Sequence, residues 1–435
     1  MKGTYRKKDR RSRRGKRVYR AEFVPAGADG PDRSVRIDLP VGELLGDLRA
    51  AVNDFAGESG LRLMLALIGE EVEQRAGRRY EHNPERDAHR WGWEDGYVTW
   101  AGRKVPIERP RLRDRKGREV ELERYGQFQS DGAMQQDVAR RVLAGVSSRK
   151  YERVLDELCD GYGISKSSVS RQWRAASAEA LRGLCERLLG ELDFAALMID
   201  GIRFGEFLLI VALGIDAGGH KHVLGLWQGD TENATVVGGL LDDLIGRGLS
   251  TEKKYLFVLD GAKSLAKAVR AKFGVEVLIQ RCTVHKRRNV LGHLPPRYHW
   301  RFAGRLKAAW SMKDYAAAKR ELEAWVKELA ELNPSAAASL EEGLEETLTL
   351  HRLGVPETLR VSLRSTNLIE SSFSTTRQTS QRVKRWRTAD QAWRWAGSSL
   401  VEAEKRFKRV KGFFGAMSVL RVALDRVVDS SKAVG

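Results

Sequence analysis

Two aspartates carry the first chemical signal in this chain. Asp200 closes the apolar run Leu-Met-Ile-Asp-Gly, and Asp260 closes a second run, Phe-Val-Leu-Asp-Gly. A carboxylate at the tip of a buried strand, followed by glycine, is held by rigid backbone and left open to a ligand. Two such groups on neighbouring strands can share a divalent cation. A third carboxylate on a helix crossing the sheet would complete a two-metal site, which holds the attacking and leaving oxygens of a phosphodiester in line. Hard oxygen ligands acting on phosphate point to Mg2+ or Mn2+. An Asp-Gly pair at a strand end is equally the chemistry of a turn, and Asp216 in Gly-Ile-Asp-Ala-Gly-Gly, read as a hairpin turn, has the same local look. Glu370 stands three residues after Asn367, the spacing of a capping box that would use its carboxylate on its own helix.

The elements that must position these residues follow from periodicity. Residues 194–200, 207–215 and 222–227 read as three strands, then 234–245 as a helix, 255–260 as a strand, 265–273 as a helix and 275–280 as a strand. The order β-β-β-α-β-α-β predicts a mixed sheet covered by helices. Residues 298–352 read as helical with a break at Asn333-Pro334, and a final helical stretch begins near Thr366. Upstream, residues 41–80 have the spacing of two helices, and the alternation over 97–125 fits a short basic β-hairpin. A helix over 135–159, a glycine-bearing turn and a Ser/Arg-rich second helix have the layout of a helix-turn-helix. In that layout Ser165 caps the second helix, and Lys166, Ser168, Arg171 and Arg174 are available to DNA.

The chain of 435 residues is long enough for two to four domains, and its 42% apolar content excludes a wholly disordered chain. No apolar run approaches the length of a membrane span, and the basic first twenty residues lack the apolar core of a secretory signal. Three cysteines without paired spacing, Cys159, Cys185 and Cys282, give no disulfide framework and suggest a reducing cytosol. The net charge of +19 is concentrated rather than spread. Residues 1–20 hold eleven Lys/Arg against Asp9, and residues 371–411 hold eleven against Asp390, Glu402 and Glu404. Segments of that kind expect a polyanion, most often nucleic acid. The second segment also interleaves Trp386, Trp393 and Trp395 with its charges.

Taken together, Ile199-Asp200-Gly201, Val258-Leu259-Asp260-Gly261, Arg281-Cys282-Thr283-Val284-His285 and Ser365-Thr366-Asn367-Leu368-Ile369-Glu370 resemble the bacterial insertion-sequence transposases of the Mutator superfamily. Gly163-Ile-Ser-Lys-Ser-Ser-Val-Ser170 is similar to the stretch that precedes their catalytic domain, and Leu368 stands where relatives often have proline. The resemblance spans roughly residues 95–410. It implies an RNase H-like α/β core with Asp200, Asp260 and Glu370 as catalytic, metal-binding triad, and two Mg2+ or Mn2+ per active site. It also implies an all-helical insertion before the glutamate. Cys282 and His285 form the family's Cys-x-x-His signature, which either packs beside the site or is a chance pair; a zinc site would need about four ligands. The neighbouring run Lys286-Arg287-Arg288 is a candidate phosphate contact. If Glu370 opens a regular helix, Arg377 and Lys384 return to its face, with Arg385 and Arg387 continuing the basic segment.

The expected organisation is a basic arm (1–40), N-terminal helices and hairpin (41–130), a helix-turn-helix region (131–190), a catalytic domain (191–285 and 362–411) around a helical insertion (286–361), and a C-terminal tail (412–435). The expected function is a metal-dependent DNA transposase that cleaves element ends and joins the 3′-hydroxyl to target DNA. It would work as a homodimer or higher assembly on double-stranded DNA, in the bacterial cytoplasm at the nucleoid and away from membranes. A non-catalytic DNA-binding derivative and a nuclease of the same fold are the alternatives.

Overall fold

The computed structural model describes residues 48–80, 86–100, 103–146, 166–229 and 233–432. The chain divides into two compact units, Met1–Ala176 and Ser177–Gly435. The basic arm, and the turn of the expected helix-turn-helix with Ser165 and Cys159, lie outside the described residues.

In the first unit a single helix α1 (Leu48–Ala76) occupies most of the region where two were expected. Leu61, Leu65, Ile68 and Val72 recur at helical spacing along it. They pack on Val98, Val105, Ile107 and Leu112 of an antiparallel sheet, β1 (Ala88–Trp100), β2 (Arg103–Asp114) and β3 (Glu119–Val120). The hairpin therefore begins nine residues earlier than alternation suggested. The missed part carries a register shift between Arg90 and Gly92, the latter at φ +126°, and three successive exposed residues, Trp91 to Trp93, so no buried face alternates there. Helix α2 (Glu123–Gln129) follows Leu122, which has no side chain able to cap it. Glu71 of α1 takes that role, accepting from the amides of Glu123 and Arg124 at 2.8 and 2.9 Å. Helix α3 (Asp131–Leu143) ends well before residue 159, and α4 (Lys166–Cys185) follows the undescribed segment.

The second unit is built on a five-stranded sheet. Its members are β4 (Phe194–Phe204), β5 (Phe207–Asp216), β6 (Lys221–Gly229), β7 (Leu256–Leu259) and β8 (Leu278–Arg281), in the order β6-β5-β4-β7-β8. The first three form an antiparallel meander, and β7 and β8 add in parallel. Helices α5 (Ala234–Gly246) and α6 (Lys263–Phe273) supply the crossovers, so the element order is the one read from periodicity. Asp216 is the turn residue it was read as: its Oδ1 accepts the amide of His220 at 2.8 Å.

Each sheet face has its own core. Leu197, Ile199, Phe257 and Leu259 meet Leu240, Leu244, Leu265 and Val269 of α5 and α6. On the other face Ala196, Met198, Ile202, Leu256 and Val258 share a core with three C-terminal helices, α14 (Asn367–Ser380), α15 (Ala389–Glu404) and α16 (Ala416–Lys432). Helix α16 corrects the expected C-terminal tail. Ala416, Met417, Leu420 and Leu424 are buried in this core, and Arg421 donates to the carbonyl of Phe194 at 3.3 Å. The chain reaches α16 through Gly412, at φ +76°, where a Cβ would fall 2.5 Å from the carbonyl carbon of Thr358, so only glycine passes.

Between β8 and α14 lie seven helices: α7 (Thr283–Gly292), α8 (Pro296–Ala309), α9 (Tyr315–Leu332), α10 (Pro334–Glu341), α11 (Leu344–Thr347), α12 (Thr349–Arg352) and α13 (Glu357–Leu363). The break at Asn333-Pro334 is a cap: the Asn333 side-chain Oδ1 accepts from the amides of Ser335 and Ala336, with Pro334 in the first turn. Phe302, Leu306, Leu322, Leu329 and Leu340 form a core separate from the sheet, and it ends at Leu348. From Leu350 onward the buried residues, including Leu359 and Leu363, belong to the sheet's own core. The helical insertion thus closes about a dozen residues before the expected boundary at 361, because helix type alone does not say which core a helix joins.

Candidate active site

Strand register brings the two aspartates together. Met198 of β4 pairs with Val258 of β7, and both side chains lie in the core shared with α14. Asp200 and Asp260 stand two residues further along these parallel neighbours, and side chains two apart share a face. Both carboxylates are half-buried at the same end of the sheet, on the face that α14 covers. Asp200 Oδ1 accepts the amide of Gly201, and Asp260 Oδ1 accepts the amide of Ala262, each at 2.8 Å.

Glu370 is joined to the same end by a short chain of contacts. The amide of Cys282 donates to the carbonyl of Leu259, the residue before Asp260, at 2.7 Å. Cys282 Sγ in turn accepts the amide of Thr366 at 3.4 Å, while the Thr283 amide and hydroxyl donate to the carbonyl of Arg364 at 2.9 and 3.2 Å. Thr366 then donates its hydroxyl to Glu370 Oε1 at 2.7 Å. The capping-box alternative is not what forms. Thr366, not Asn367, precedes the first helical residue, and the Glu370 carboxylate takes the threonine hydroxyl.

The Cys-x-x-His signature therefore has a structural role beside the site. Cys282 Sγ caps α7 by accepting the amide of His285 at 3.5 Å. His285 Nδ1 lies 3.4 Å from the Thr366 hydroxyl, and its Nε2 lies 3.9 Å from Glu370 Oε1. Burial pushes the Cys282 thiol up, but hydrogen bonds from His285 and Thr366 outweigh it and hold the group below its usual range. His285 is raised, first by its hydrogen bond to Cys282, then against burial by the charges of Cys282, Glu370 and Asp260. Both carboxylates thus act on one imidazole. Among the described residues no three His, Cys, Asp or Glu side chains converge into a ready-made cation cage. Asp200 and Asp260 share a face of the sheet, Glu370 is linked to the residue before Asp260 by the contacts above, and carboxylate oxygens are donors that suit a hard divalent cation.

The candidate DNA contacts separate into different groups. Lys166, Arg171 and Arg174 are exposed on α4 and Ser168 is half-buried, while Val169, Gln172 and Trp173 face inward. Arg288 is exposed and Arg287 half-buried. Lys286 is a correction: it is 2% exposed, and its ammonium donates to the carbonyls of Ser339 and Glu342 at the end of α10. Burial, with the charge of Arg281 beside it, pushes Lys286 down to about 8. A second correction concerns the basic row. Helix α14 ends at Ser380, so Arg377 shares the helix of Glu370 but Lys384 does not. Lys384, Arg385 and Arg387 are exposed in the connection to α15. The tryptophans among these charges are anchors. Trp386 stacks edge-on against Phe204 at 4.9 Å and against Trp395 at 6.4 Å, and Trp393 packs on the sheet core. Thr366 and Arg281 were passed over by sequence reasoning, although both lie inside the motifs that carried the resemblance.

The lowered Lys286 ammonium has a stability consequence. Between about pH 8 and 10 the unfolded chain still holds this proton while the folded chain has released it, so stability rises with pH across that window. Thermal melts of the Lys286→Met protein should show a flatter profile there than wild type, with DNA affinity little changed.

With this arrangement in view, comparison with known proteins identifies the class. Residues 47–410 match the family described as "Transposase, Mutator family", and the chain belongs to that family. It is similar to the transposase for insertion sequence element ISRM5 of Rhizobium meliloti (strain 1021), 32% identical over 74% of this chain and 82% of the relative. The transposase for IS6120 of Mycolicibacterium smegmatis is 31% identical over 54% of this chain and 73% of its own length. The transposase for IS256 in transposon Tn4001 of Staphylococcus aureus is 26% identical over 75% and 83%. No helix among the described residues is long and apolar enough to cross a membrane.

Proposed function

We propose that this transposase cleaves phosphodiester bonds at the ends of its element and joins the freed 3′-hydroxyl to target DNA, using one RNase H-like domain for both steps. The observation that supports the proposal is the strand register that sets Asp200 beside Asp260, with Glu370 linked to the residue before Asp260 through Cys282 and Thr366. Asp200, Asp260 and Glu370 would hold two Mg2+ or Mn2+ ions. When bound, these supply Lewis acidity and neutralise charge on the phosphate oxygens during in-line displacement. The chain's own residues do the positioning. Backbone amides fix one oxygen of each aspartate, and the Thr366 hydroxyl fixes one of Glu370. Cleavage and joining are both displacements at phosphorus, so one set of carboxylates serves both.

The DNA itself would be held by the exposed faces. Arg171 and Arg174 on α4 would read element ends as part of a helix-turn-helix, and Arg377 with the 384–387 connection would hold phosphates near the carboxylates. Two ends must be handled together, which requires a dimer or larger assembly on DNA, at the bacterial nucleoid. The decisive test incubates purified protein and Mg2+ with labelled inverted repeats and a target plasmid. Strand-transfer products support transposition; cutting without joining supports a nuclease; binding without cutting supports a non-catalytic derivative. Within that assay Arg377→Ala should slow single-turnover cleavage of pre-bound ends by about tenfold, roughly the loss of one charged phosphate contact. Equal charge removal from residues 1–20 should weaken binding and its salt dependence and leave the pre-bound rate unchanged.

A further inference from the structure

Arg281 stands at the end of β8, the edge strand of the sheet, in register with Leu259 and therefore beside the residue that precedes Asp260. Its side chain is buried, and its guanidinium is shared between two parts of the molecule. Nη2 donates to the carbonyl of Gly261 at 3.1 Å. Nη1 donates to the carbonyl of Glu342 at 3.1 Å, and the guanidinium ion-pairs with the carboxylates of Glu342 and Glu346 at 3.2 and 3.3 Å. Two glycines make room for it. Gly261 has φ +107° and a Cβ there would sit 3.1 Å from Arg281 Nε; Gly343 has φ +66° and a Cβ there would sit 2.8 Å from Nη1. Lys286 holds the same Glu342 carbonyl from the other side.

The Gly261 carbonyl and the Ala262 amide belong to one peptide unit. Arg281 donates to its oxygen, and its N–H donates to Asp260 Oδ1 at 2.8 Å. A cation on the carbonyl end polarises that peptide and strengthens the bond its N–H makes to the carboxylate. The fork of Arg281 thus connects the α10–α11 junction of the helical insertion to the orientation of Asp260 through a single peptide. Arginine serves the two ends with separate nitrogens of a rigid planar fork, a geometry that a lysine ammonium does not reproduce.

We infer that Arg281 is a positioning residue that sets the Asp260 carboxylate for its cation and makes that setting depend on where the helical insertion sits. This rests on Asp260 being a cation ligand, as in the function proposed above. The test uses full-length protein and two variants, Arg281→Lys and Gly343→Ala. The second perturbs the guanidinium from the insertion side and adds a side chain at a left-handed backbone position. Leu329→Ala, which opens the insertion core at a residue away from Arg281, is the control. Two quantities are read: the half-saturating Mg2+ for single-turnover cleavage, and the Ca2+ concentration that half-shifts the thermal midpoint, which needs no activity.

Both variants should raise both half-points by about tenfold, in line with losing an outer-shell hydrogen bond to a metal ligand, with end binding intact. Leu329→Ala should lower the thermal midpoint and leave the half-points where they are. If both variants respond to cations as wild type does, or if Leu329→Ala shifts the half-points as far as they do, Arg281 is only structural and the inference fails. If wild type itself shows neither Mg2+-dependent cleavage nor a Ca2+ shift, the metal reading of Asp260 falls and the inference falls with it.

Discussion

Asp200→Asn, Asp260→Asn and Glu370→Gln are each expected to reduce cleavage and joining by about a thousandfold or more, because each removes charge from the oxygen set that would hold the cations. Binding of element ends should persist, since none of the three lies among the exposed basic residues of α4 or the 384–387 connection. The measurement is cleavage and strand transfer in Mg2+ alongside an electrophoretic binding assay in Ca2+. Glu370→Gln is the most informative of the three. Glutamine can still accept the Thr366 hydroxyl on its carbonyl oxygen, so the helix start is preserved while the charge is lost. Cleavage retained by Glu370→Gln protein would reduce Glu370 to a residue that steadies the first turn of α14.

The largest expected loss of stability comes from the core beneath that glutamate. Phe373 is 2% exposed on α14 and packs, with Ile369, into the sheet face that carries Met198 and Val258. Phe373→Ala should cost about 3–5 kcal/mol, the sum of lost burial and the cavity left behind. It should also lower the cleavage rate well below the temperature of unfolding, because α14 carries Glu370 and a helix resting on a void is free to shift. Phe373→Leu, which keeps most of the volume, should recover most of both. Urea unfolding and single-turnover cleavage on the same preparations separate the two effects. Loss of stability at full catalytic rate would show that packing under α14 does not set the position of the glutamate.

Much of this was legible in the amino-acid sequence. Periodicity gave the strand and helix order of the second unit, because buried strands such as β4 and β7 read as continuous apolar runs, although β4 extends to Phe204, past the Asp-Gly expected to close it. Local chemistry likewise marked the turn at Asp216 and the cap at Asn333-Pro334, since each depends only on residues a few positions away. Apart from Arg394, the positive charge concentrated after residue 371 sits on exposed side chains, with Trp386 and Trp393 between them partly buried against the core.

What the sequence could not reveal depends on contacts between distant residues. A run such as Lys286-Arg287-Arg288 looks uniformly basic, yet α7 packs on α10 and buries the lysine against carbonyls more than fifty residues away. The tail after residue 412 has the composition of an exposed helix, and only the uncovered sheet face beside β4 makes its leucines core. Helix α14 stops at Ser380, so the periodicity that linked Glu370 to Lys384 had no helix to run along. The residue types of the candidate site were fixed by sequence, two aspartates and a helix-borne glutamate, but only Asp260 stands at the end of its strand; β4 runs on past Asp200 to Phe204 because Gly201–Phe204 continue the ladder with β5. The arrangement of the three acids depends on tertiary structure: strand register brings Asp200 beside Asp260, and a hydrogen-bond path through Leu259, Cys282 and Thr366 spans more than a hundred residues of chain to reach Glu370.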